Sequence, residues 1–156
     1  MPNILLTRID NRLVHGQVGV TWTMTLGANL LLVADNKTAE EPLLQELMRS
    51  VADSSNADIR FFTLDKTATV IDKAADRQKI FIICKEPKDV RYLIEHGVPI
   101  KEVNVGNMHF APGKRALSKK VYVDDKDMED LKYIHDQGVD LYIQDVPGDA
   151  KEHIKF

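Results

Sequence analysis

Apolar residues along this chain fall into short runs separated by longer stretches where they recur every three or four positions. The runs at residues 4–9, 30–34, 59–62, 80–84, 103–105, 121–123 and 141–143 are dominated by Val, Ile and Leu. Such runs, with little polar alternation, are the pattern of strands covered on both faces. Helices are predicted over 15–26, 41–51, 67–75, 87–96 and 125–137. In 41–51, Leu43, Leu44, Leu47, Met48 and Val51 share one stripe at helical spacing. The 87–96 segment opens with Pro87 and stops before Gly97, a matched start and stop. Strand and helix alternate throughout, which predicts a mostly parallel α/β sheet with helices on both faces. Sheets of this kind hold their sites at the carboxyl ends of strands. The loops after the first, second, fourth and fifth strands are therefore the places to look for chemistry.

Composition narrows the class without changing the fold. The 156 residues match one domain over 1–156, and 44% hydrophobic content suffices for one core. With 21 basic and 24 acidic side chains the net charge is −3, and no basic tract points to nucleic acid. The amino terminus has no basic leader and too short an apolar stretch for a secretion signal. No run approaches the roughly 18 apolar residues of a membrane span. A cytoplasmic protein is expected, serving any membrane process from the cytosol. Cys84 is the single cysteine, which fits a reducing compartment.

The segment Arg8-Ile9-Asp10-Asn11-Arg12-Leu13-Val14-His15-Gly16-Gln17-Val18 holds the densest chemistry in the chain. It leaves the first strand and enters the first helix, so its side chains converge on a helix N-terminus. That end offers free N–H groups and partial positive charge to an anion. Arg8 and Arg12 supply planar forks suited to phosphate oxygens. Gly16 permits close backbone approach. Histidine titrates near neutrality, so His15 is available as a neutral nucleophile. Asp10 is placed to orient a ring nitrogen or an arginine. A phosphoryl group held there needs positioning and charge more than covalent help. A plainer reading fits the same residues: His15 as a surface or capping side chain, with Arg8 and Arg12 in solvated ion pairs.

This run, with Trp22, resembles the N-terminal motif of the mannose/fructose/sorbose family of sugar phosphotransferase-system (PTS) IIB domains. The similarity continues through Val33-Ala34-Asp35, Lys85-Glu86-Pro87-Lys88-Asp89-Val90, Val103-Asn104-Val105-Gly106-Asn107-Met108, Gly113-Lys114 and Val121-Tyr122-Val123-Asp124. It spans nearly the whole chain in order. Asn11, the Val18–Trp22 stretch and Asn107-Met108-His109-Phe110 are most similar to the N-acetylgalactosamine/galactosamine branch. The resemblance implies an open, doubly wound, mostly parallel seven-stranded sheet. It also implies a phosphocarrier that accepts a phosphoryl group from the IIA protein and donates it to sugar held by membrane IIC and IID proteins. The implied acceptor is His15 at Nδ1, with Arg12 and the loop amides, at Asn11, Val14, Gly16 and Gln17, stabilising the phosphoryl group. Arg8 and Asp10 match neighbouring family positions. No metal or organic cofactor is implied, and a homodimer is possible.

Other residues carry two readings each. Asp35 ends the second strand, as a cap or as part of the rim near His15. Lys85 is a candidate partner contact, and Asp89 pairs along its helix or is solvated. Residues 104–118 read as a long loop, whose Asn107, His109, Lys114 and Arg115 either wall the His15 site or dock a partner. His109 also fits an exposed loop side chain. Cys84 reads as buried and structural, because reactive thiols need polar surroundings. Trp22 is expected in the core or at an interface, and His96, His135 and His153 are assigned no chemistry. Two other function classes compete. A histidine-phosphatase-like phosphohydrolase also uses a first-loop histidine, but there Arg-His-Gly are adjacent, whereas Leu13 and Val14 separate Arg12 from His15 here. A non-catalytic anion-binding regulatory module would use the same pocket.

Overall fold

The computed structural model describes all residues, Met1–Phe156. The strands in chain order are β1 (Asn3–Asp10), β2 (Leu30–Ala34), β3 (Asp58–Phe62), β4 (Lys79–Cys84), β5 (Glu102–Asn107), β6 (Arg115–Ser118), β7 (Val121–Val123), β8 (Asp140–Ile143) and β9 (Glu152–His153). The helices are α1 (Gly16–Leu26), α2 (Pro42–Ser54), α3 (Leu64–Val70), α4 (Pro87–Glu95) and α5 (Asp125–Asp136). Seven strands make one sheet in the order β3-β2-β4-β1-β5-β8-β9. All neighbours are parallel except the β8–β9 pair. No helix is long and apolar enough to cross a membrane.

The topology places the first loop. From β1 the chain moves past β4 to β2 and on to β3, then returns across β4, β5 and β8. Parallel crossovers share one hand, so connections running in opposite directions lie on opposite faces. Accordingly Trp22, Met48 and Val51, from α1 and α2, pack on one face with Leu6, Leu31 and Phe81. Leu64, Val90, Leu93, Leu131 and Ile134, from α3, α4 and α5, pack on the other with Ile9, Ile82 and Val105. The direction of travel reverses around β1, and the carboxyl end of such a strand is where open α/β sheets form a crevice. Alternation along β1 then puts Leu6, Arg8 and Asp10 on the α1 face, with Thr7 and Ile9 opposite.

Four expectations need correction. The count of seven strands is right, but 121–123 is not in the main sheet. It pairs antiparallel with β6, while β9 supplies the seventh strand. Residues 104–118 are not one loop, since β5 runs to Asn107 and β6 begins at Arg115. The run 103–105 was expected as a strand, but polar residues masked its extension to Asn107 and the whole of β6. The α2 stripe is narrower than its spacing indicated: Met48, Val51 and Ala52 are buried, whereas Leu43 and Leu47 are 77% and 66% exposed. The third helix starts earlier, at Leu64, because the Thr63 hydroxyl accepts the Lys66 N–H as an N-cap.

Candidate functional site

The site is built outward from Arg8. Its guanidinium is 3% exposed and must satisfy its donors within the fold. Nη1 donates to Asn104 Oδ1 at 2.5 Å and to the Gln144 carbonyl at 3.2 Å. Nη2 donates to Asp10 Oδ2 at 3.2 Å and lies 3.8 Å from Asp145 Oδ1. The Trp22 ring stacks against Arg8, 5.2 Å from its Cζ, and its indole N–H donates to the Asp145 carbonyl at 2.9 Å. Burial pulls the Arg8 pKa down, and the Asp10 and Asp145 carboxylates oppose that pull. The space for this side chain exists because residue 106 is glycine. A Cβ there would lie 2.0 Å from Arg8 Cζ.

Asp10 passes the arrangement to the loop. Its carboxylate is buried and receives Arg8 on one side. On the other it accepts the Arg12 backbone N–H at 2.9 Å, Nε at 3.1 Å and Nη2 at 3.2 Å. A forked pair of this kind fixes a guanidinium's plane as well as its distance. Arg12 keeps 30% of its side chain exposed, so it is held and still reachable.

The loop then turns sharply. Leu13 has φ of 59°, unusual for a branched residue, and Gly16 has φ of 49°. Leu13 is buried, and its N–H donates to the Asp10 carbonyl at 2.9 Å. Packing of Leu13 and Val14 into the α1 face holds this backbone. His15 is the N-cap residue of α1, in extended conformation, and its side chain caps no backbone group. The first helical bond runs from the Gly19 N–H to the His15 carbonyl at 3.1 Å. The amides of Gly16, Gln17 and Val18 therefore have no acceptor within the helix. His15 is half-buried, and Gly16 and Gln17 are exposed. Beneath the ring a cavity of only about 10 Å³ remains, lined by Arg8, Asp10, Val14 and Trp22 among others. Any group transferred to this ring must approach from its open side. Unpaired amides, a held guanidinium and a half-exposed imidazole together suit the handling of a dianion.

The family model described as PTS system sorbose subfamily IIB component matches residues 4–155. The chain belongs to this IIB family. It is 61% identical, over 98% of its length and 97% of the relative's, to the N-acetylgalactosamine-specific phosphotransferase enzyme IIB component 1 of Escherichia coli K12. The crystal structure of the E. coli N-acetylgalactosamine-specific IIB component 1 matches with a TM-score of 0.96 at 60% identity, covering 98% of this chain and 100% of that one. A Streptococcus pyogenes N-acetylgalactosamine IIB structure matches with a TM-score of 0.90 at 37% identity, covering 96% and 92%.

Within this IIB chain the residues singled out from sequence do not all converge. Arg8 is no open phosphate fork, because Asp10, Asn104 and Gln144 take its donors. The Asn11 side chain ties loops together: Nδ2 donates to the Lys85 carbonyl at 2.8 Å, and Oδ1 accepts the His109 N–H. Val14 is core. Asp35 caps a turn, accepting the Thr38 N–H at 3.1 Å and hydroxyl at 2.7 Å, as its residue type indicated. Asn107 is buried and its carbonyl accepts the Asn11 N–H at 3.0 Å, so the Asn11 amide, expected among those holding the phosphoryl group, is not open to it. Lys85 and His109 stand on the loops after β4 and β5, His109 exposed. The Lys114 ammonium is committed to Asp127 at 2.9 Å, at the start of α5, and Arg115 pairs with Asp125. Cys84 is fully buried, and burial pushes its thiol pKa well up. Asn104, Gly106, Gln144 and Asp145 escaped the sequence reading. A polar Asn and a Gly inside 103–107 are the available signal, while Gln144 and Asp145 lie past the last predicted strand, outside the candidate loops.

Asp89, 8% exposed, occupies the N3 position of α4, where its Oδ2 accepts the Glu86 N–H at 3.1 Å. Burial raises its pKa from 3.8 to about 6, with the Glu86 and Asp35 carboxylates adding to the rise. The folded state then holds a proton the unfolded state has released, so stability falls as pH rises between those values. A shift of that size corresponds to at most ~3 kcal/mol. Asp89→Asn keeps an acceptor and has no charge to desolvate. The wild-type stability curve, from urea denaturation at pH 4 to 7, should decline relative to that of the variant by up to this amount. Gly106→Ala should destabilise the fold by ~2–4 kcal/mol through displacement of Arg8 from its acceptors, measured by the same denaturation at pH 7.

Proposed function

We propose that this chain is the IIB phosphocarrier of an amino-sugar uptake system, with N-acetylgalactosamine as its sugar, and that His15 carries the phosphoryl group. The observation that supports this most is the chain Arg8–Asp10–Arg12, which holds one exposed guanidinium on the loop that ends in His15. The similarity to N-acetylgalactosamine-specific IIB components supports the choice of sugar. The donor is a phosphohistidine on the IIA protein. The His15 Nδ1 lone pair attacks phosphorus, and the P–N bond to the donor ring breaks with its electrons returning to that ring. Arg12 and the amides at the start of α1 balance charge on the phosphoryl oxygens during transfer. A hydroxyl of the sugar, held by the membrane IIC and IID proteins, then attacks phosphorus. The His15–phosphorus bond breaks, His15 recovers its lone pair and the hydroxyl proton is released. The carrier works in the cytoplasm and meets IIC and IID at the inner face of the membrane. The reaction needs no metal or organic cofactor in this scheme.

With phospho-IIA as donor, wild-type protein should gain one acid-labile, alkali-stable phosphoryl group by intact mass. His15→Ala should gain none while keeping its far-ultraviolet circular dichroism. Full acceptance by that variant would remove His15 from the role. Arg12→Ala should accept the group 10²- to 10³-fold more slowly, as on losing one preorganised charge at a transition state. A single-turnover rate within a few-fold of wild type would contradict that role.

A further inference from the structure

Asn11 makes a set of contacts that phosphate binding does not explain. Its backbone N–H donates to the Asn107 carbonyl at the end of β5. Its side chain donates from Nδ2 to the Lys85 carbonyl, just past β4, and accepts at Oδ1 from the His109 N–H, just past β5. The partners fix which amide atom is which. A flipped amide would set a carbonyl against a carbonyl and an NH₂ group against an N–H. One side chain thus joins the loops after β1, β4 and β5 at the carboxyl end of the sheet, using both halves of an amide. Alanine would break both ties. Aspartate, an acceptor only, would keep the tie to His109 and break the tie to Lys85.

The joined loops stand with the His15 loop at the carboxyl end of the sheet. Beyond His109, Phe110 is 64% exposed, its ring edge-to-face with Tyr122 at 5.6 Å. Lys85 is half-buried beside the loop. An exposed aromatic ring and a lysine on a fixed rim suit a protein partner, because aromatic residues anchor interfaces when they are rigidly presented.

We propose that Asn11 is a positioning residue: by tying the loops after β4 and β5 to the acceptor loop, its amide holds the rim on which the phosphoryl-donor protein docks. This rests on the phosphocarrier reading above. Asn11 leaves the phosphoryl group to Arg12 and the helix amides, so its loss raises KM for the donor and spares kcat.

The test has two arms. Hydrogen exchange at the His109 amide, read by NMR on the unphosphorylated protein, needs no donor. Exchange should quicken about tenfold in Asn11→Ala and stay close to wild type in Asn11→Asp. In transfer assays with phospho-IIA, Asn11→Ala should raise KM about fivefold or more and leave kcat within about twofold, with Asn11→Asp between it and wild type. Unchanged His109 exchange in Asn11→Ala overturns the tie. A fall in kcat at constant KM, or kinetics like wild type in both variants, overturns the docking role. If Asn11→Ala fails to fold, Asn11→Asp alone decides, through a raised KM with His109 still protected. Failure of the wild-type protein to accept phosphate would instead sink the phosphocarrier reading and leave the exchange result standing.

Discussion

A guanidinium buried beside the middle strand of the sheet must find several acceptors, and much of the site follows from that requirement. Arg8 is almost fully enclosed, and an unpaired charge in that position would cost several kcal/mol. Its acceptors come from three strands and their ends: Asp10 at the end of β1, Asn104 within β5, and the Gln144 carbonyl just past β8. Meeting those needs sets the relative heights of the three strands. It also leaves the Asp10 carboxylate with a second edge free to accept Arg12. The charge that faces outward is thus oriented by one that does not.

This division of labour gives the loop its chemistry without making it loose. Arg12 is long and flexible, and a solvated arginine would sample many rotamers. Held at two guanidinium nitrogens by Asp10, it has lost most of that freedom. His15 is treated differently, with no hydrogen bond fixing it as a cap and its backbone extended at the helix start. The contrast suits a carrier: one guanidinium is preorganised, while a half-buried imidazole keeps an open side.

The parts of this protein legible in its sequence are those governed by local rules. Uninterrupted apolar runs such as 30–34 and 80–84 mark buried strands almost to the residue. Proline at 87 marks the start of α4, and Gly97 follows its end. The His15 loop stood out by residue type alone. What the sequence did not disclose depends on contacts across long separations. Arg8 and Gln144 are 136 positions apart, and nothing near Arg8 indicates that its fork faces inward. Strand β6 hid inside an apparent loop because Arg115–Ser118 has only one large apolar residue. Leu43 and Leu47 obey helical spacing, yet α2 turns them outward.

We propose that Asp10 acts on transfer by holding Arg12. A double-mutant cycle of Asp10→Asn and Arg12→Ala, followed by single-turnover transfer from phospho-IIA on folded protein, tests it most directly. Asp10→Asn should slow transfer strongly in the wild-type background and hardly further once Arg12 is alanine. Equal slowing in both backgrounds would show instead that Asp10 acts by another route.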